Sequence, residues 1–382
     1  MNRTSHGGSR AVLMLAHFAG MIDLVALPVW VGALAQHYGY DLEHAGMIVT
    51  AFLMGAVAAS LYAAPRFNRL PQRLCAMGGY GGAALAFAAA TRVDTFAALL
   101  VLHALAGLSL GIGLSMVHGA IGRSPNPHRL FAMAGAALGV GAVLFYGVVP
   151  PAIAVHGGPV LFMAFAAVMA VTAAACFAFP RVAADPVQVR QRAPLPQVAW
   201  LAMAGVLCMA LNQSITFAML DRIGVMRGFG QERVNLVLVA CGLVNLLPAA
   251  LAGLLQHRLA AARVALVAPL VQAALAVVIA SSPVFEPYAL ACSVFAAVMI
   301  FTHTFLFGLI ARLDPSGRAV ASTPAMMMTG AAIGPALAGM VAMRAGFGGL
   351  AWLAVAVGVA ATCAFACVGR HDCAAATSRS LN

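Results

Sequence analysis

The sequence predicts an all-α membrane protein whose twelve transmembrane helices form two pseudo-symmetric six-helix bundles. Three observations lead there. The chain is 63% hydrophobic and 8% charged, with a mean hydropathy of +0.97 over 382 residues, a balance that no soluble domain of this length needs. It holds twelve apolar runs near the length of a bilayer crossing, about 20 residues: 11–35, 45–64, 74–91, 95–117, 131–154, 159–179, 198–220, 234–255, 263–281, 287–310, 319–343 and 347–369. The runs are continuous rather than alternating, which suits helices, since a helix satisfies its own backbone in lipid. The first run is expected to remain as a span, because it lacks a small-residue cleavage site followed by a soluble domain.

The least apolar internal stretch, 181–197, carries Arg181, Asp185, Arg190, Arg192 and the prolines Pro186, Pro194 and Pro196. Proline at that density keeps a linker extended. The expected organisation is an N-terminal bundle over 1–180, a cytoplasmic linker over 181–197, a C-terminal bundle over 198–369 and a cytoplasmic tail over 370–382.

All 21 basic residues are arginine, against 10 acids, for a net charge of +11. They form no stripe of the kind that binds nucleic acid. With the N-terminus in the cytoplasm, five (Arg92, Arg222, Arg227, Arg233 and Arg344) fall outside and the other sixteen inside, the bias that sets orientation. The expectation is a multi-pass protein of the bacterial inner membrane with both termini cytoplasmic. The loop after the seventh run, with three outside arginines, is the one dissent.

Seven of the eight cysteines sit in or at the ends of apolar runs without CxxC spacing, and Cys373 lies in the tail. They read as small buried hydrophobes, so no disulfide, metal or other cofactor is expected. A chain with no lysine has no phosphate-binding Gly-x-x-x-x-Gly-Lys loop. ATP-driven pumping and enzyme activity are therefore not expected; an ion or substrate gradient must supply the energy.

Asp23 is the only acid that falls inside a long apolar run. A carboxylate at bilayer depth is costly and faces a cavity or a partner, commonly in handling protons or substrate. His17 lies six residues before it, about 9 Å along a helix axis and roughly 120° around it. Pro28 is expected to bend the outer part of that helix. The seventh run supplies Asn212, Gln213, Ser214 and Thr216, the eighth Asn235 and Asn245, and the tenth Thr302-His303-Thr304. From these, the expected substrate cavity is lined by His17, Asn212, Gln213, Thr216, Asn245 and His303, with the seventh-run cluster facing Asp23. His118 reads as an interfacial group, and Trp30, Tyr38, Tyr40, Tyr80, Trp200, Tyr288 and Trp352 as interface anchors.

The two halves echo one another. The turn after the second run reads Leu61-Tyr-Ala-Ala-Pro65-Arg66-Phe-Asn68-Arg69, and the turn after the eighth reads Gly253-Leu-Leu-Gln-His257-Arg258. The fifth run holds Gly135 and Gly139, and the eleventh holds Gly330, Gly334-Pro335 and Gly339. Glycines four apart bare a helix face for close approach, and recurrence at matching runs points to duplicated halves. In the fourth run, His103 is followed by Gly107 and Gly111 on the same face.

On these motifs the chain resembles the major facilitator superfamily of secondary transporters from about residue 11 to 369. Arg66 and Arg69 match the basic members of that family's turn, while Leu61, Pro65 and Asn68 replace its glycine, aspartate and glycine. His103 stands at the position of the family's helix-4 arginine, and Val140 replaces the proline of its drug/proton antiporters. The resemblance implies conformational switching through Arg66, Arg69, Gly253, Arg258, Gly334 and Pro335. It also implies that His103 communicates with Asp23, as a titratable proton-coupling pair. The function expected is export of a neutral, zwitterionic or cationic small molecule by proton antiport, since no arginine is clearly buried at mid-depth to hold a strongly anionic substrate. The alternatives are a proton symporter importing a small organic acid or metal chelate, and a receptor or scaffold that moves nothing. Its partners would be the solute, protons and the lipid bilayer, with the monomer as the working unit.

Overall fold

The computed structural model describes residues 7–180 and 194–380. Of the expected linker at 181–197, residues 181–193, with Arg181, Asp185, Arg190 and Arg192, lie outside the described residues. So do the side chains of Pro28, Asn235 and the tail from Arg370.

The fold is all-α. In chain order the helices are α1 (Gly7–Gly20), α2 (Ile22–Tyr38), α3 (Leu42–Ala63), α4 (Gln72–Ala90), α5 (Phe96–Gly122), α6 (Pro127–His156), α7 (Pro159–Ala175), α8 (Gln197–Met226), α9 (Gln231–Val244), α10 (Pro248–Leu255), α11 (Ala261–Ser281), α12 (Phe285–Leu313), α13 (Arg318–Ala321) and α14 (Thr323–Ser380). Among the described residues nine helical stretches are long and apolar enough to cross a membrane, one of them α9 with α10. The last of these breaks at Gly346 (φ 63°) and makes two crossings. Adding α1 with α2, and the glycine- and alanine-rich α4, gives the twelve spans of two pseudo-symmetric bundles.

The chain divides into two compact units. The first comprises Met1–Ala193 with Pro315–Met328, and the second Pro194–Asp314 with Thr329–Asn382. In the first, α3, α4 and α5 pack through small residues. A Cβ on Gly107 would stand 1.9 Å from the Phe52 carbonyl oxygen, and one on Gly111 2.4 Å from that of Ala56. Only glycine admits backbones this close. In the second unit, Gly330 and Gly334 of α14 meet Leu211 and Ser214 of α8 in the same manner.

The first crossing is interrupted at Met21 (φ −113°, ψ 18°), whose N–H is shared between the carbonyls of His17 and Phe18. The interruption thus precedes Pro28 by seven residues, and α2 runs on through the proline. Two neighbours hold it: Leu114 crowds Gly20, and the Tyr80 hydroxyl donates to the Ala16 carbonyl at 2.5 Å.

Three expected interface anchors are core residues instead. Trp30, Tyr80 and Tyr288 are fully buried, and each spends its polar tip on an interior acceptor, as buried Trp and Tyr must. Tyr288 donates to the Leu220 carbonyl at 2.8 Å. Trp200 and Trp352 remain exposed. Arg227, one of the arginines behind the dissenting charge count, donates to the carbonyls of Ala280, Ser281 and Ser282 at the end of α11. There it satisfies acceptors that a helix terminus leaves open.

Candidate proton and substrate site

Asp23 is 3% exposed and lies in the first turn of α2, just past the interruption. Backbone N–H groups in a first turn lack intrahelical acceptors, which makes such a position receptive to negative charge. The broken crossing therefore places the buried acid next to a local source of positive potential, a geometry known from discontinuous transporter helices.

His103, also fully buried, does not meet Asp23 as the sequence led us to expect. Its Nδ1 lies 2.7 Å from the Leu99 carbonyl, and its Nε2 accepts from the Trp30 indole at 3.3 Å. A carbonyl only accepts and an indole only donates, so the ring is the neutral tautomer with hydrogen on Nδ1. Phe87 and Phe162 close around it edge-on, at centroid distances of 5.6 and 5.1 Å. His103 is thus built into an aromatic core, with both nitrogens engaged.

His17 was expected in the cavity and His118 at the interface. The structure stacks their rings, with centroids 5.1 Å apart, and brings His17 Nδ1 to 3.0 Å from His118 Nε2. His118 Nδ1 in turn lies 2.5 Å from the Thr323 hydroxyl. All three residues are buried.

In the second unit the polar cluster of α8 gains a member from α11 that sequence reading passed over. Gln272 donates to Gln213 Oε1 at 3.1 Å. Asn212 reaches the Ala354 carbonyl at 3.4 Å, and Thr216 is buried one turn along. Gln272 Oε1 and Asn212 Oδ1 are buried acceptors with no hydrogen bond among the described residues. Leaving such an acceptor unmatched costs about 1–3 kcal/mol. Asn245 turns back on its own helix, 3.7 Å from Cys241 Sγ, and His303 stacks on Phe307 at 5.2 Å.

Among the expected switching residues, Arg66 bonds the Tyr62 carbonyl at 2.9 Å and covers its ring, while Arg69 and Arg258 are exposed. Gly253 is half-buried at the end of α10; Gly334 supplies the close contact on Ser214, with Pro335 beside it in α14. At the first turn Asn68 makes two further side-chain bonds. It accepts from Arg123 at 3.0 Å and donates to the Ser316 carbonyl at 3.0 Å.

Comparison with known proteins gives the following. A stretch of 110 residues is 36% identical to the 4-hydroxybenzoate transporter PcaK of Pseudomonas putida, covering 28% of this chain and 24% of that protein. The match therefore spans about a quarter of the relative's length. The E. coli fucose:proton symporter FucP superposes with a TM-score of 0.74 at 16% identity, over 94% of this chain and 97% of the other. The proton:xylose symporter XylE gives 0.73 at 13% identity, over 95% of each. These findings overturn the expectation of an exporter working by proton antiport on a neutral, zwitterionic or cationic molecule. The similar proteins are described as proton symporters of sugars and as a transporter of an organic acid. The chain is a membrane transporter and not an enzyme. The model of the Major Facilitator Superfamily matches residues 13–319, and with twelve helices in two six-helix bundles the chain belongs to that superfamily.

Proposed function

We propose that this transporter is a proton symporter that takes up a small organic acid across the bacterial inner membrane, with both termini cytoplasmic and the monomer as the working unit. The observation that carries the reading is the 36% identity with the 4-hydroxybenzoate transporter. The names of the two superposed sugar symporters add proton coupling to it.

The residues give this a physical form. No lysine exists in the chain, and the described arginines lie at helix ends and turns, so no fixed cation neutralises a carboxylate at depth. A proton carried with a monoanion makes the cargo neutral overall and removes most of the cost of moving charge through low dielectric. Asp23 is the proton acceptor in this scheme. Gln213, Gln272, Asn212 and Thr216 hold the polar groups of the substrate. Ordered binding of proton and acid, with alternation between two states of the bundles, then completes the cycle.

The test is uptake of labelled 4-hydroxybenzoate and related monoacids into proteoliposomes that contain a pH dye. Symport predicts solute and protons entering together. Protons leaving as solute enters, or binding with no flux under a proton gradient, would overturn it.

A further inference from the structure

We propose that His17 and His118 form a second proton-binding site, whose proton affinity is set by Thr323 while the segment Pro315–Met328 is seated on the first unit. The inference deepens the symport reading and rests on it only for its role in coupling.

The hydrogen order follows from the partners. The Thr323 hydroxyl lies 2.8 Å from the Val320 carbonyl, which can only accept, so the hydroxyl hydrogen goes there. Its oxygen is then left to accept from His118 Nδ1–H. That fixes the His118 tautomer, turns the Nε2 lone pair towards His17 and requires His17 to donate from Nδ1. Both rings are neutral, and the two hydrogen bonds run in one direction, from His17 to His118 to Thr323. One acceptor remains at the head of the chain: among the described residues no hydrogen bond is made to His17 Nε2. His17 retains 6% of its surface, while His118 and Thr323 have none. A proton therefore enters at His17 Nε2, giving one imidazolium whose charge the pair shares through the Nδ1–H···Nε2 bond. Release reverses the step.

Seating decides how well the pair holds that proton. Thr323 lies 205 residues from His118 in sequence and reaches it only while its segment is in place. Contacts that keep the segment there include the Asn68 bond to the Ser316 carbonyl, the bond of His118 to Thr323, Val320 pressed on Gly122, where a Cβ would come within 2.7 Å, and Gly317 against Arg123 and Gly119. The His118–Thr323 bond strengthens when the donor ring shares a positive charge. By linkage, the proton favours the seated segment and its loss favours release. The coupling thus ties a proton to the seating of this segment, separate from Asp23.

Other titratable or charged groups on the elements around the pair are Arg10 on α1; Asp23, His37 and Tyr38 on α2; Arg73, Cys75 and Tyr80 on α4; His103 on α5, with Arg123 just past its end; His128, Arg129, Tyr146 and His156 on α6; and Arg318 on α13; α7 carries none. His128→Gln and Asp23→Asn serve as controls.

The experiment is amide hydrogen exchange of 315–328 in the full-length protein without substrate or gradient, corrected against the unfolded chain at each pH. Protection should fall about tenfold from about pH 5.5 to about pH 8, the change given by one unit of difference in proton affinity between the seated and released states. His17→Gln, His118→Gln and Thr323→Val should flatten that dependence, Thr323→Ser should keep it, and both controls should leave it intact. Protection independent of pH in the parent, a rise with pH, or the same fall in His118→Gln and Thr323→Val would overturn the proposal. A failure of symport with this titration intact would instead remove the symport reading and leave the proton site standing.

Discussion

The indole of Trp30 donates to Nε2 of His103 at 3.3 Å, which ties α2 to α5 in the aromatic core of the first unit. Trp30→Phe removes the donor and leaves a buried acceptor, at a cost of about 1–3 kcal/mol. Trp30→Phe combined with His103→Leu removes both sides of the bond. The double variant should recover part of the loss, and thermal unfolding in detergent measures both; a double variant whose loss equals the sum of the single effects would show that the bond contributes nothing.

The same geometry makes a functional prediction. With Nδ1–H bound to Leu99 and Nε2 bound to Trp30, the ring has no role in exchanging protons with Asp23. His103→Gln should lower stability yet leave the pH profile of uptake superimposable on that of the parent. A shifted optimum would restore the pairing that the sequence suggested.

Asn68 separates the seating of 315–328 from its proton dependence. It joins Arg123 to the Ser316 carbonyl and is hydrogen-bonded to neither histidine. Asn68→Ala should raise hydrogen exchange in 315–328 at every pH, by roughly five- to tenfold for the loss of about 1 kcal/mol or somewhat more. Its pH dependence should persist. Loss of that dependence would mean that the histidine pair acts only through Asn68.

The fold was legible in the sequence because lipid permits few solutions. Twelve apolar runs become twelve helical crossings since backbone groups in a membrane must pair internally. Asp23 stood out for a related reason: a lone acid in an apolar run is costly unless used. Gln272 is a strongly polar residue inside the run 263–281, and the reasoning that singled out Asp23 would have found it. The partners of the histidines were not legible. Trp30 and His103 are 73 positions apart and His118 and Thr323 are 205 apart, so no local spacing announces them. A tryptophan near a run's end reads as an anchor until packing shows what lies against it. Asn68 likewise reads as a departure from a family motif, because its value depends on the carbonyl it meets.

Gly107 offers the sharpest packing test. Even the single methyl of Gly107→Ala would overlap the Phe52 carbonyl, and the α3–α5 contact must open to admit it, at about 1–3 kcal/mol. Gly78→Ala, on α4 with open space around the new methyl, should be neutral or slightly stabilising in a helix. A melting comparison that ranks them in the opposite order would contradict the close approach of α3 and α5.

The last prediction concerns the substrate. Gln272 spends its amide N–H on Gln213, which fixes the orientation of both side chains and leaves Gln272 Oε1 as a buried acceptor. If a substrate hydroxyl or protonated carboxyl donates to it, Gln272→Leu removes that bond and loosens Gln213 together with it. Affinity should then fall about tenfold, equivalent to about 1.4 kcal/mol, while proton coupling through Asp23 survives. The expected result is a raised KM for monoacid uptake with an unchanged ratio of protons to solute. Asp23→Asn should show the converse, losing uphill accumulation while retaining exchange of solute between the two sides. A Gln272→Leu variant that loses proton coupling but keeps its KM would move the amide pair out of the substrate site and into the coupling machinery.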